Sequence, residues 1–224
     1  LVKLGLKLAS KIVCQSEAQN KRIEEELKKK AVLIMSDYPI QDIGSIDKEG
    51  VLWVGRSEKW KRPELFLRLA ERFPNERFTM ILARADGNPD LFEAIKKETA
   101  AIKNIVLIER VPFEKIDDYF KKAEIFVNTS ESEGFPNTFI QAAKNKTPII
   151  SLNVNPDNII NRYEIGLFAK GDFNAAVEFL RRLLDDKNSW DIYAKNSFCY
   201  ADKYHNIKEV LNKHKELFFD LKRK

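Results

Sequence analysis

Residues 124–152, E-I-F-V-N-T-S-E-S-E-G-F-P-N-T-F-I-Q-A-A-K-N-K-T-P-I-I-S-L, hold the pattern that decides the fold. Residues 124–128 form a short apolar run of strand character. Residues 129–138 read as a small polar loop with one glycine. A helical pattern over 136–145 is opened by proline, which is pre-set for a first helical turn. Residues 148–152 then return as a second apolar run. Strand, loop, helix and strand in that order make the βαβ unit of a parallel sheet.

The alternation extends in both directions. Upstream, 51–54, 78–83 and 104–108 read as strands, and 63–72, 91–97 and 113–122 as the helices between and after them. The strands are rich in Val, Ile and Phe and carry no regular polar alternation, as expected for strands buried on both faces. The expected fold class is therefore α/β, a doubly wound parallel sheet. Downstream the pattern is helical at 174–184, 190–204 and 207–222, with Val210, Leu211, Leu217, Phe218 and Leu221 apolar in the last. Near the start, 11–16 reads as a strand, 17–30 as a helix with Ser16 as its N-cap, and 31–35 as a strand. Residues 36–50 lose all periodicity among Ser, Asp, Pro and Gly, and a domain boundary is expected there.

The 224 residues are enough for one large domain, or one and a half average ones. Apolar residues at 44% and charged residues at 33% exclude a disordered or low-complexity chain. The net charge of +5 comes from 39 basic and 34 acidic side chains, too mixed to demand a nucleic-acid partner. Cys14 and Cys199 offer neither a disulfide framework nor a metal spacing, so a reducing cytosol is expected. The opening L-V-K-L-G-L-K-L-A is broken by Lys3 and Lys7, which fits an amphipathic helix better than a signal peptide. A chain that begins with Leu suggests a piece of something longer.

In an open parallel sheet, ligands bind beyond the carboxyl ends of the strands. Two segments there are unusual. After 51–54 comes Gly55-Arg56-Ser-Glu-Lys59-Trp60-Lys61-Arg62-Pro63, with four cations and one acid between Arg56 and Arg62, a composition suited to phosphate. Gly55 is expected to turn the backbone at the strand end. After 124–128, the loop leading to Pro136 presents backbone N–H groups and the positive end of a helix dipole, an anion site. Glu133, Asn137 and Gln141 recur every four residues and are expected to line one face toward the cleft. A solvated basic loop, and an N-cap with two exposed polar residues, are the plain alternatives. Neither G-x-G-x-x-G nor a P-loop is present, and His205 and His214 read as surface or packed histidines. Trp53 and Trp190 read as core.

Together the two segments resemble the donor-binding domain of retaining GT-B glycosyltransferases of glycosyltransferase family 4. V-G-R-S-E-K-W-K-R-P is similar to the family's G-R-x-x-x-x-K loop, and S-E-S-E-G-F-P-N-T-F-I-Q-A to its S-x-x-E-G-F-x-x-x-x-x-E-A segment. The resemblance implies that Arg56 and Lys61 contact a donor diphosphate. It implies that Glu133 binds the donor sugar and stabilises charge near the anomeric carbon. Gly134, Phe135, Pro136, Asn137 and Thr138 match the loop whose amides meet sugar hydroxyls and phosphate, with Gly55 beginning the first segment. Gln141 stands where the family has its second acid, so a ribose contact there becomes neutral. Lys146 stands where the family often has Gly. Arg84 and Val111 fall in segments that flank the nucleotide base.

The implied function is transfer of a sugar from a UDP- or GDP-sugar to a glycan or lipid-linked acceptor, with no metal and no further cofactor. Residues 1–45 then resemble the end of an N-terminal acceptor-side domain plus linker, 46–205 the Rossmann-like donor domain, and 206–224 a helix returning to the missing domain. The implied setting is cytoplasmic, with peripheral contact at the inner membrane face. A non-catalytic nucleotide-binding or assembly module of the same fold stands as the alternative, and nucleic-acid binding is not expected.

Overall fold

A computed structural model describes residues 2–44 and 46–222. Leu1, Ser45, Arg223 and Lys224, which belong to the expected N-terminal segment, linker and terminal helix, lie outside the described residues. The chain opens with α1 (Val2–Leu8), β1 (Val13–Cys14), α2 (Glu17–Leu27) and β2 (Val32–Leu33). Then come β3 (Val51–Arg56), α3 (Pro63–Arg72), β4 (Phe78–Ala83), α4 (Pro89–Thr99), β5 (Ile105–Ile108) and α5 (Ile116–Lys122). They are followed by β6 (Ile125–Asn128), α6 (Asn137–Lys144), β7 (Ile149–Ser151), α7 (Ile159–Arg162) and β8 (Gly166–Phe168). The chain ends with α8 (Phe173–Asp185), α9 (Lys187–His205) and α10 (Ile207–Lys222).

The last six strands form one parallel sheet in the order β5-β4-β3-β6-β7-β8. Alternate strand residues feed two cores, as the pleat requires. Val51, Trp53, Phe78, Met80, Leu82, Ile125 and Val127 join α3, α4 and α8 on one face. Leu52, Ile81, Phe126 and Ile149 join α5, α6, α7 and α9 on the other. Phe66 packs edge-on against Phe78 at 5.3 Å between ring centres, and Phe120 lies 5.3 Å from Phe126. Each such buried ring contributes about 2–3 kcal/mol.

The strand and helix pattern read over 51–152 is present, with the helix expected at 113–122 divided into a 3-10 turn, Phe113–Lys115, and α5. Two elements between β7 and α8 were not expected, α7 and the edge strand β8. With three residues, β8 leaves no periodic trace in the sequence. It requires Gly166, because a Cβ there would sit 1.9 Å from the Ile149 carbonyl oxygen.

β1 and β2 pair in parallel as a separate two-stranded sheet. Asp157, in the loop between β7 and α7, accepts the N–H groups of Glu17 and Ala18 at 2.7 and 3.0 Å, holding the start of α2 beside the Ser16 cap. Val210 and Leu217 of α10 pack against Val32 and Ile34. Between α9 and α10 the chain crosses the linker, where Tyr38 N–H donates to His205 O at 2.9 Å and Ile207 N–H to Tyr38 O at 3.1 Å.

His205 is fully buried at this crossing. Its Nδ1 lies 2.8 Å from the Ser36 carbonyl oxygen and must donate, so Nε2 accepts from the Tyr200 hydroxyl at 3.2 Å. Burial pushes the imidazole down to about 4, with Lys213 adding a smaller effect in the same direction.

Two outcomes are expected. The folded state keeps His205 neutral while the unfolded chain takes up a proton below about pH 6.5, so stability is present above that pH and is lost on acidification toward 4. Urea unfolding should show about 2 kcal/mol more loss between pH 7 and 5 than in His205→Gln, and parallel losses would contradict the assignment. Gly166→Ala should cost about 1–3 kcal/mol by overpacking β7 against β8, read as a melting temperature several degrees lower. An unchanged melting temperature would mean that β8 shifts freely.

Candidate functional site

Strand order reverses between β3 and β6: β4 and β5 lie to one side of this pair, β7 and β8 to the other. The crevice at such a reversal, beyond the carboxyl ends, is where open α/β sheets hold ligands. The two segments singled out in the sequence leave these two neighbouring strands.

The first passes through a 3-10 turn, Lys59–Lys61, and enters α3 at Pro63, with Arg62 in the left-handed conformation (φ 49°). The second runs as loop from Thr129 to Pro136, the N-cap residue of α6, and no side chain caps that helix. The segments are tied together, because Glu131 N–H donates to Trp60 O at 2.7 Å and the Thr129 hydroxyl to Lys61 O at 2.7 Å. Lys61 Nζ reaches Glu133 Oε2 at 2.9 Å, with the two side chains only 14% and 11% exposed. Asn128 Nδ2 donates to the other carboxylate oxygen at 2.8 Å. The Lys61 ammonium also lies over the Trp60 ring, 4.3 Å from its centre.

The remaining expected residues take varied places. Arg56 is 61% exposed, with its guanidinium 3.8 Å from the Glu58 carboxylate, and is apart from the Lys61–Glu133 pair. Gly134 is exposed and faces Gln19 of α2, whose Nε2 would lie 3.2 Å from a Cβ. Phe135 packs against His205 at 5.4 Å between ring centres. Pro136 is buried, Asn137 exposed and Thr138 half-buried. Arg84 and half-buried Val111 lie farther out, beyond β4 and β5. Arg84 pairs with Glu93 and lies over Phe92, and Val111 borders a cavity of about 320 Å³ with Arg110 and Tyr119.

Two readings need correction. Gly55 does not turn the chain but lies within β3, and its missing side chain leaves room for the Trp53 indole, which a Cβ would meet at 2.6 Å. Glu133 does not share a helical face with Asn137 and Gln141, because α6 begins only at Asn137. Gln141 is buried, only 6% exposed, in a helix enclosed by the sheet and α9. Asn128 and Thr129 were not singled out, since a polar pair ending an apolar strand looks like a simple stop signal. Gln19 and Asp157 gave no local signal, as their contacts come from distant parts of the chain.

A cavity of about 610 Å³ separates the first two strands from α6, lined by Cys14, Gln15, Gln19, Tyr38 and Asn137 among others, a size suited to a small-molecule ligand. Burial pushes the Cys14 thiol up, so it is not a ready nucleophile. A larger cavity of about 720 Å³, with Lys48, Glu124 and Trp190, lies at the amino ends of β3 and β6 and holds none of the expected residues. Volume alone favours that one, but strand polarity and the Lys61–Glu133 pair favour the carboxyl-end crevice. Among the described residues no group of three His, Cys, Asp or Glu side chains is placed to hold a metal ion. None of the described helices is long and apolar enough to cross a membrane.

Comparison with known proteins gives a consistent result. Over 87 residues, or 38% of this chain and 22% of the relative, the sequence is 32% identical to the capsular polysaccharide biosynthesis glycosyltransferase CapM of Staphylococcus aureus. Sucrose-phosphate synthase from Thermosynechococcus elongatus superposes with a TM-score of 0.81 at 19% identity, covering 98% of this chain and 60% of that one. HepE of Anabaena, solved with UDP and glucose, has a TM-score of 0.81 at 14% identity over 100% of this chain and 66% of its own. S. aureus TarM, solved with UDP among its ligands, has a TM-score of 0.78 at 16% identity over 93% and 43%. The chain thus spans less than two thirds of each relative's length, and the structural likeness shows the fold, a Rossmann-like α/β unit of GT-B glycosyltransferases. The profile described as "Glycosyl transferases group 1" matches residues 41–198, and the chain belongs to that family.

Proposed function

We propose that the chain is the nucleotide-sugar-binding part of a retaining, metal-independent hexosyltransferase. It takes a sugar from a UDP- or GDP-sugar and passes it to a glycan or lipid-linked acceptor. The observation that carries this reading is the meeting of Lys61 and Glu133, nearly buried, at the reversal point of the sheet. The N-terminus of α6 opens beside them with no side-chain cap.

As the bond between the anomeric carbon and the diphosphate oxygen breaks, the electron pair stays on the leaving diphosphate. The Lys61 ammonium and the positive end of α6 offset that charge where water is largely excluded. Arg56, exposed and weakly paired, turns onto the diphosphate from the rim. Glu133 faces the positive charge developing at the anomeric carbon and orients the sugar hydroxyls. Amides of Gly134, Phe135, Asn137 and Thr138 meet sugar and phosphate, with Pro136 setting the start of the helix. The base extends toward Arg84 and Val111 beyond β4 and β5.

In this reading residues 1–45 are the closing elements and linker of an acceptor-side domain, 46–205 the donor domain, and 206–224 the returning helix. The two-stranded β1–β2 sheet, its packing against Val210 and Leu217, and the greater length of the relatives support it. CapM's role in capsular polysaccharide supports a glycan acceptor. Free Cys14 and Cys199 suit a reducing compartment, so we place the chain in the cytoplasm, in peripheral contact with the inner membrane face where the acceptor is lipid-linked.

Calorimetric titration with UDP and GDP tests the reading. A charge-assisted hydrogen bond from Lys61 to phosphate is worth about 1.5–3 kcal/mol, and the exposed Arg56 adds about 1 kcal/mol. Arg56→Ala/Lys61→Ala should therefore weaken the bound nucleotide about a hundredfold, from the sum of the two losses. Affinity equal to the parent's, or no binding of either nucleotide by the parent, would overturn it.

A further inference from the structure

β3 and β6 are neighbours, yet their backbones pair only through Val51↔Ile125 and Leu52↔Phe126. β3 continues to Arg56 beside β4, while β6 runs on to Asn128 beside β7. Beyond the second pair, side chains span the gap. Trp53 Nε1 donates to Thr129 Oγ1 at 2.9 Å, and the Thr129 hydroxyl donates to Lys61 O at 2.7 Å. The direction is fixed, since an indole N–H only donates and a carbonyl only accepts. Trp53 is 2% and Thr129 0% exposed, so water cannot replace either partner. The indole reaches across because Gly55 has no side chain to obstruct it.

Asn128, next to Thr129, holds the other half of the pair. Its Nδ2 donates to Glu133 Oε1 at 2.8 Å, and its Oδ1 accepts Ser130 N–H at 3.2 Å. Glu133 Oε2 meets Lys61 Nζ at 2.9 Å. The contacts close a ring that starts and ends on two consecutive residues: Thr129 fixes the backbone of Lys61, Lys61 meets Glu133, and Asn128 fixes Glu133.

We propose that Trp53, Asn128 and Thr129 are positioning residues for sugar transfer, holding the Lys61 ammonium and the Glu133 carboxylate in place across the crevice between β3 and β6. The proposal rests on the donor-site reading of Lys61 and Glu133 above. Such a ring sets both charges before the donor arrives, so little reorganisation remains when charge develops. Thr129→Val keeps the shape of the side chain and removes the hydroxyl. Its loss removes the side-chain bond to the Lys61 carbonyl and uncouples Trp53 from the ligand, although Trp53 touches no ligand.

The test uses the 224-residue chain with indole-15N-labelled tryptophan, UDP and GDP as probes, and Trp53→Phe to identify the Trp53 signal. Whichever nucleotide binds should move the Trp53 indole N–H resonance in the parent and in Thr129→Ser, and leave it in place in Thr129→Val. Affinity by calorimetry should fall about tenfold in Thr129→Val and in Asn128→Leu, and return to within about twofold of the parent in Thr129→Ser. If Thr129→Val fails to fold, Trp53→Phe decides, with a severalfold loss expected and parental affinity contradicting the proposal. Parental affinity in Lys61→Ala would overturn the donor-site reading and this proposal with it. A large loss in Lys61→Ala beside parental affinity in Thr129→Val and Asn128→Leu would overturn the positioning role alone.

Discussion

The site depends on a topological constraint, the placing of β3 beside β6 with both pointing the same way. Parallel neighbours that are not consecutive in sequence need crossover connections, and these are right-handed. The chain therefore builds β4 and β5 outward on one side and returns to lay β6, β7 and β8 on the other. Segments leaving β3 and β6 therefore start from neighbouring strand ends at the reversal point, where open sheets hold ligands. Lys61 comes to Glu133 across 72 positions of sequence for that reason, and not because either loop is folded toward the other by a core of its own. The two loops are joined instead by hydrogen bonds, Glu131 to Trp60 and Thr129 to Lys61.

The strands between residues 51 and 152 were legible because a strand buried on both faces must be apolar at nearly every position. The same rule hid β8, whose Gly-Leu-Phe has too few residues to show a pattern, though Gly166 is required by the approach of the Ile149 carbonyl. Lys61 and Glu133 were legible as charged residues at strand ends. Their partners were not, since Trp53 reads as core, which it is, and nothing local shows that its one polar atom reaches the next strand. Gly55 was read as a turn because glycine usually marks one, whereas here it makes room for a ring. Counting in fours from Glu133 puts Gln141 on an open face. That count fails at Glu133, which precedes the helix start at Asn137, and Gln141 is buried where Asn137 is exposed.

The first two strands are held differently from the main sheet. α2 has no buried residue, and its place is set by polar contacts from Asp157 and Ser16. Among the described residues, the shared apolar cluster consists of Val32, Ile34, Val210 and Leu217. Segments with few buried contacts open at lower free energy than the core does. The crossing at Tyr38 and His205 adds paired backbone groups and a buried ring bonded at both nitrogens. Phe135 rests on that ring, two residues after Glu133. The loop that holds the carboxylate is thus anchored at both ends, by Asn128 on the sheet and by His205 on the crossing.

This anchoring changes the meaning of the chain's charge. A surplus of +5 over 224 residues has little effect at a distance, since exposed charges are screened within about 8 Å at physiological salt. Four cations lie between Arg56 and Arg62, but exposure divides them. Arg56 and Arg62, at 61% and 38% exposed, sit in water-like surroundings where a charge pair at contact is worth about 1 kcal/mol. Lys61, at 14%, is screened far less, and its ammonium is held by a carboxylate that is held in turn. An anion entering the crevice would gain most of its interaction from that single group, which gives the ordering of Lys61 more influence on binding than the number of cations around it.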